Sequence, residues 1–121
     1  MKKTFYLLSF SLILLLSAFA YISDRLTGQW TVETPEGSAN VEFIADGSFK
    51  VSANGQQVNE GKYKLVKDTF FTTDNNCGAQ EGKYLLSFHT PDSISFKLIA
   101  DPCTERQSQV NGVIIVRVKG H

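Results

Sequence analysis

The chain is poor in the side chains that most enzyme chemistry uses. Its 121 residues include two cysteines, two histidines, one tryptophan, one methionine and three prolines. His121 is the last residue, which leaves His89 as the one internal imidazole. No serine or cysteine nucleophile is patterned around His89, and strand alternation puts it on a polar face open to solvent. The same scarcity excludes zinc, because Cys77 and Cys103 stand 26 residues apart with no paired histidines. Asp74-Asn75-Asn76 lacks the spaced carboxylates of a calcium loop and reads as a solvated turn. No glycine-rich phosphate cradle occurs. The expectation is a protein with no catalytic residues, no metal and no cofactor, one that binds and does not catalyse.

An excess of charge is missing too. Twelve basic side chains face twelve acidic ones, and setting aside Lys2 and Lys3 leaves 10 against 12. Without a basic stripe, nucleic acid is not an expected partner. Long apolar runs are confined to one place, Phe5 to Ala20, behind the basic Lys2-Lys3 and ending in the small-x-small Ala18-Phe19-Ala20. That is the build of an export signal. An uncleaved anchor is the alternative, since the run approaches the ~17–25 residues a membrane helix needs. Leu16-Ser17-Ala18 begins like a lipoprotein signal, but Phe19 stands where the lipidated cysteine would be. Residues 1–20 are therefore read as a signal peptide. Residues 21–121 are read as one periplasmic or extracellular domain, monomeric, with no stable membrane insertion after cleavage.

What the exported part does contain is alternation. Short apolar–polar runs are separated by turn signals about every ten residues, the pattern of an all-β sandwich or barrel. Eight strands are predicted: 26–33, 39–44, 48–53, 57–66, 69–73, 82–90, 93–100 and 110–119. Asp46-Gly47 and Asn54-Gly55 are hairpin turns, and Pro91-Asp92 is a tight turn. Polar loops at 74–80 and 101–109 carry the two cysteines. No segment has a helical period. Glu60-Gly61-Lys62-Tyr63 recurs as Glu81-Gly82-Lys83-Tyr84, which reads as one structural solution used twice.

In an oxidising compartment, two cysteines in a small domain are most simply one disulfide, with two free thiols as the alternative. Closing a loop of ~26 residues contributes about 3.5 kcal/mol on the chain-entropy model. Strand order and compartment agree on this pair. In an up-and-down meander the turns at 46–47, 67–68 and 91–92 share one end. The connections holding Cys77 and Cys103 fall together at the other.

Gly28-x-Trp30 opening the first strand, with seven more up-and-down strands behind it, resembles the lipocalin-like (calycin) barrels. Gly61-Lys62-Tyr63, Cys77, Gly82-Lys83-Tyr84 and Asp101-Pro102-Cys103-x-x-Arg106 resemble a group of small exported bacterial lipocalin-like proteins. The resemblance covers residues 21–121. It departs from typical lipocalins in length and in the absence of a flanking helix pattern. It implies an eight-stranded antiparallel up-and-down β-barrel, with Gly28 and Trp30 at its closed end under a basic side chain of the last strand. Arg117 fits that part by position, with an attraction of about 0.5–2 kcal/mol, and Arg106 is the competing candidate.

Phe43, Phe49, Tyr63, Phe71, Tyr84, Phe88 and Phe96 all fall where alternation can turn them inward. An eight-stranded barrel either fills with such side chains or holds one small ligand. One expectation is therefore a small apolar or amphipathic ligand within the barrel, oriented by the tyrosine hydroxyls. The alternative is a filled barrel that binds or inhibits a protein partner through the disulfide-stapled loops.

Overall fold

The computed structural model describes residues 25–34 and 37–119. The segment read as a signal peptide, Pro35-Glu36 and His121 lie outside the described residues. Eight antiparallel strands form a closed up-and-down barrel: β1 (Gly28–Thr34), β2 (Gly37–Phe43), β3 (Ser48–Ala53), β4 (Gln56–Val66), β5 (Thr69–Asp74), β6 (Gly78–Thr90), β7 (Ser93–Ala100) and β8 (Ile114–Arg117). Each strand pairs with its sequence neighbours, and β1 closes on β8 through Trp30↔Arg117, Thr31↔Val116 and Val32↔Ile115. Closure leaves no long free edge for another chain to extend.

The period of two decides which residues enter the core. Trp30 and Val32, Tyr63 and Leu65, Tyr84 and Leu86, and Ile94 and Phe96 are buried pairs two residues apart. The turns at 44–47, 67–68 and 91–92 share one end with Arg25 and Leu26, called here the turn end. The 54–55 turn, Cys77, Cys103 and the β7–β8 connection share the other, the loop end.

The structure differs from the sequence reading at three places. First, 101–109 is not a plain loop but contains a helix, α1 (Thr104–Val110). Seven residues are far too few for a helix to stand alone in water, so no helical period is legible. It is held instead by the Cys103 disulfide, by buried Arg106 and by Val110 against the core. Second, the last strand is Ile114–Arg117, shorter than 110–119, because α1 and a turn use up its start. Its apolar run resolves cleanly: Ile115 is buried, while Ile114 and Val116 are exposed. Third, β6 begins at Gly78, so the polar connection before it is a tight turn through Cys77.

Candidate functional site

At the turn end, the Trp30 indole is fully buried and donates from Nε1 to Leu26 O at 2.8 Å. The Arg117 guanidinium lies 4.3 Å from the ring centroid. It also donates to Asp92 Oδ1 (2.9 Å), Thr27 O (2.8 Å) and Arg25 O (3.1 Å). A Cβ at Gly28 would stand 2.9 Å from the Arg117 guanidinium, and φ there is +128°. Glycine is needed on both counts. Arg117 covers Trp30; Arg106 is at the other end of the barrel.

The loop end is built around Arg106, only 4% exposed although it is a guanidinium. Its Nε donates to Asp101 Oδ2 at 2.7 Å, one terminal nitrogen to Asp101 Oδ1 at 2.8 Å and to Gln80 O at 2.8 Å, and the other to Asp74 Oδ2 at 3.1 Å. Tyr84, fully buried, donates its hydroxyl to Asp101 Oδ2 at 2.5 Å. The backbone N–H of Cys103 donates to Asp101 Oδ1 (2.9 Å), and that of Cys77 to Asp74 Oδ1 (3.0 Å). The two aspartates thus each hold a cysteine's backbone and the same arginine. The cysteines are joined as a disulfide with Cα atoms 6.0 Å apart. Crosslink and ion pairs form one clasp.

The electrostatics follow from these contacts. Burial opposes the Asp101 charge, but bonds from Arg106, Tyr84 and the Cys103 N–H outweigh it and hold its pKa below the usual carboxylate value. Asp101, then Asp74, raise the Arg106 pKa further against its own burial. Burial, then the adjacent Asp101 carboxylate, push the Tyr84 phenol well above its ordinary range. Among the described residues no buried side-chain nitrogen or oxygen lacks a partner. A network satisfied to this degree rigidifies its surroundings.

The repeated Glu-Gly-Lys-Tyr segment makes room for this clasp. Gly61 pairs with Asp74, and Gly82 faces the Asp101–Arg106 bridge. A Cβ at Gly61 would fall on Thr73 O and within 2.7 Å of Asp74 Cα. One at Gly82 would stand 2.5 Å from Asp101 Oδ2 and 3.0 Å from Arg106 Nε. Two inward glycines therefore admit two aspartates and an arginine where an eight-stranded barrel would otherwise hold apolar side chains.

The seven aromatic candidates divide. Phe43, Phe49, Tyr63, Tyr84 and Phe96 are buried inside. Phe71 is not, and this corrects the sequence reading: it lies on the outer wall beside Lys64 and Lys83, while Phe70 enters the core. Adjacent phenylalanines can serve either parity, and the β4 register Leu65↔Phe70 decides it. Phe88 lies at the turn end, partly buried, with the Arg25 guanidinium 3.9 Å from its centroid. The interior rings touch one another, Phe43 with Tyr63 at 4.9 Å, Phe43 with Phe70 at 5.9 Å and Phe70 with Phe96 at 5.4 Å between centroids. Tyr63 donates to Ile44 O at 3.0 Å, so both interior tyrosine hydroxyls are used within the protein.

Asp74, read as part of a solvated turn, is buried. It, Asp101 and Arg106 were illegible as a site because isolated charges are so seldom buried. The available signal was the pair of inward glycines in the repeated segment. A groove of about 470 Å³ crosses β3 to β6 where Phe49, Gly61, Asp74 and Gly78 align across the strands, with Lys50, Glu60 and Lys62 also lining it. His89 Nε2 lies 3.0 Å from Ser95 Oγ on the exposed outer wall. Among the described residues no cluster of side chains could hold a metal ion, and no helix is long and apolar enough to cross a membrane. The disulfide is consistent with an exported protein.

No family model, curated protein or solved structure matches the chain.

Proposed function

We propose that this is an exported, lipocalin-like, non-catalytic binding protein: a filled barrel that recognises a protein partner through its disulfide-stapled loop end. The observation that carries this reading is the set of interior ring contacts, 4.9 to 6.1 Å between centroids, together with tyrosine hydroxyls already bonded inside. A ligand in the barrel centre would have to displace rings whose packing is part of the core. The clasp, by contrast, fixes a surface of exposed Asn75, Asn76, Glu105 and Gln109 on a rigid support, which lowers the ordering cost of binding. The His89–Ser95 pair lies on the exposed outer wall of the sheet.

One observation favours a second reading, a small amphipathic ligand in the groove that crosses β3 to β6. The groove of about 470 Å³ beside Phe49 is within the size range of small-molecule sites. Native mass spectrometry of protein purified from its own host separates the two. The expected result is a protein complex that is lost on Asn76→Arg or Gln109→Arg while the fold is kept. A co-purifying small molecule, with no partner sensitive to those substitutions, would replace the first reading by the second.

A further inference from the structure

The near-zero net charge conceals a segregated surface. On the outer wall of β4 to β7, strand alternation directs Lys62, Lys64, Lys83 and Lys97 into solvent, with Lys67 in the turn below them. The exposed carboxylates at this wall are Glu60 and Glu81 near its loop end, Asp46 close to Lys62, and Asp68, which is paired with Arg25. The wall of β1 to β3 reverses the balance, with exposed Glu33 and Glu42 against Lys50.

Apolar side chains are set among the lysines. Phe71 lies between two of them by register, Lys64↔Phe71↔Lys83, with the ammonium groups 5.0 and 5.8 Å from its ring centroid. One row further toward the turn end, Val66 and Leu85 flank Thr69, and Leu85 pairs with Lys97. Val66 is 46%, Leu85 40% and Ile99 52% exposed. Four apolar side chains interleaved with flexible point charges on a gently curved sheet make an amphipathic wall.

We propose that the β4–β7 outer wall docks this protein on the anionic headgroups of a lipid bilayer. Lysines on flexible stems suit a fluid array of phosphates, which sets no fixed geometry for them to match. Val66, Leu85 and Ile99 have nothing to hydrogen-bond with, and in a headgroup layer their apolar surface is covered. A soluble polyanion would leave that surface in water. The entry of the chain points the same way. Arg25, the first described residue, donates to Lys67 O at 3.3 Å and Asp68 Oδ1 at 3.2 Å, at the turn that ends this wall. The described chain therefore begins beside the basic face.

The test is flotation of the protein, processed as its host leaves it, with vesicles of phosphatidylcholine alone or mixed with phosphatidylglycerol. Binding is expected with the anionic mixture only, and should be lost as salt is raised to ~1 M, where screening acts within about 3 Å. Each lysine near an anionic surface contributes roughly fivefold to affinity, so Lys64→Gln with Lys83→Gln should weaken binding about 25-fold. Lys50→Gln with Lys119→Gln, off this wall, should change it less than twofold. Any binding supplied by a retained N-terminal segment is common to all variants and does not mimic this difference. Equal loss of binding to the anionic vesicles in the two double variants, or no loss in either, overturns the proposal. So does lysine-dependent binding to heparin or DNA without vesicle binding, which would assign the wall to a soluble polyanion.

Discussion

Replacing Arg106 by methionine keeps most of the side-chain volume and removes the guanidinium from between two buried carboxylates. Arg106 is 4% exposed, and it makes two bonds to Asp101, one to Asp74 and one to Gln80 O. Asp101 would keep the Tyr84 hydroxyl and the Cys103 N–H, and Asp74 the Cys77 N–H. Removing one partner of a buried pair leaves uncompensated charge and typically costs 3–5 kcal/mol, here about 4. A domain of this size has a margin of about 5–15 kcal/mol, so the variant should be folded but severely weakened. Urea unfolding with the disulfide intact reads this directly, as a lower midpoint at similar slope.

Two controls make the mechanism testable. If the cost is orphaned charge, the triple variant Arg106→Met, Asp74→Asn, Asp101→Asn should be more stable than Arg106→Met alone, because neutral amides replace the buried carboxylates. Acid should also narrow the gap between wild type and Arg106→Met, since Asp101 without its guanidinium takes up a proton that wild-type Asp101 resists. A cost below about 1 kcal/mol, or a triple variant worse than the single by the sum of its parts, would refute the clasp as described.

Other outcomes follow from the same geometry. Gly82→Ala should cost about 1–3 kcal/mol in wild type by pushing on Asp101 and Arg106, and clearly less in the Arg106→Met background; equal costs in chemical denaturation would break the link. Gly61→Ala meets backbone that cannot swing aside, and should cost at least as much as Gly82→Ala in the same assay. Thermal stability should be level between about pH 5 and pH 9. The Asp101 contribution is present above its unfolded pKa of about 3.9 and is lost as the pH falls below it. Tyr84 stays protonated in the fold, so its contribution is present below its unfolded pKa of about 10 and is lost as the pH rises above it. Tyr84→Phe should flatten that alkaline limb, and an unchanged limb would remove Tyr84 as its cause.

Much of the barrel was legible because a strand's period of two is written locally. Val41 and Phe43, Tyr63 and Leu65, and Ile94 and Phe96 announce their faces without knowledge of any neighbour. A basic cover for Trp30 was implied by the lipocalin-like resemblance, and strand parity favoured Arg117 over Arg106 because it returns the last strand to the turn end beside the first. The cysteine pair was inferred from the oxidising compartment, and strand counting agrees with it, since an even number of strands separates the two connections.

The rest depended on what meets across the barrel. Phe70 and Phe71 are equivalent in sequence, and only the register with β4 sends one to the core and the other between two lysines. α1 has no signal of its own, because seven residues cannot repay the cost of nucleating a helix unless a disulfide and a buried side chain hold them. Arg106, Asp74 and Asp101 are charged residues that any local reading puts in water. They are buried because two glycines, 21 positions apart in a repeated segment, leave space for them and because each charge finds the others there. Local alternation sets which residues share a face, and with that the barrel and its two ends. That one end is sealed by an indole under an arginine and the other by an arginine between two aspartates follows from the folded arrangement, because burial of charge depends on partners that lie far apart along the chain.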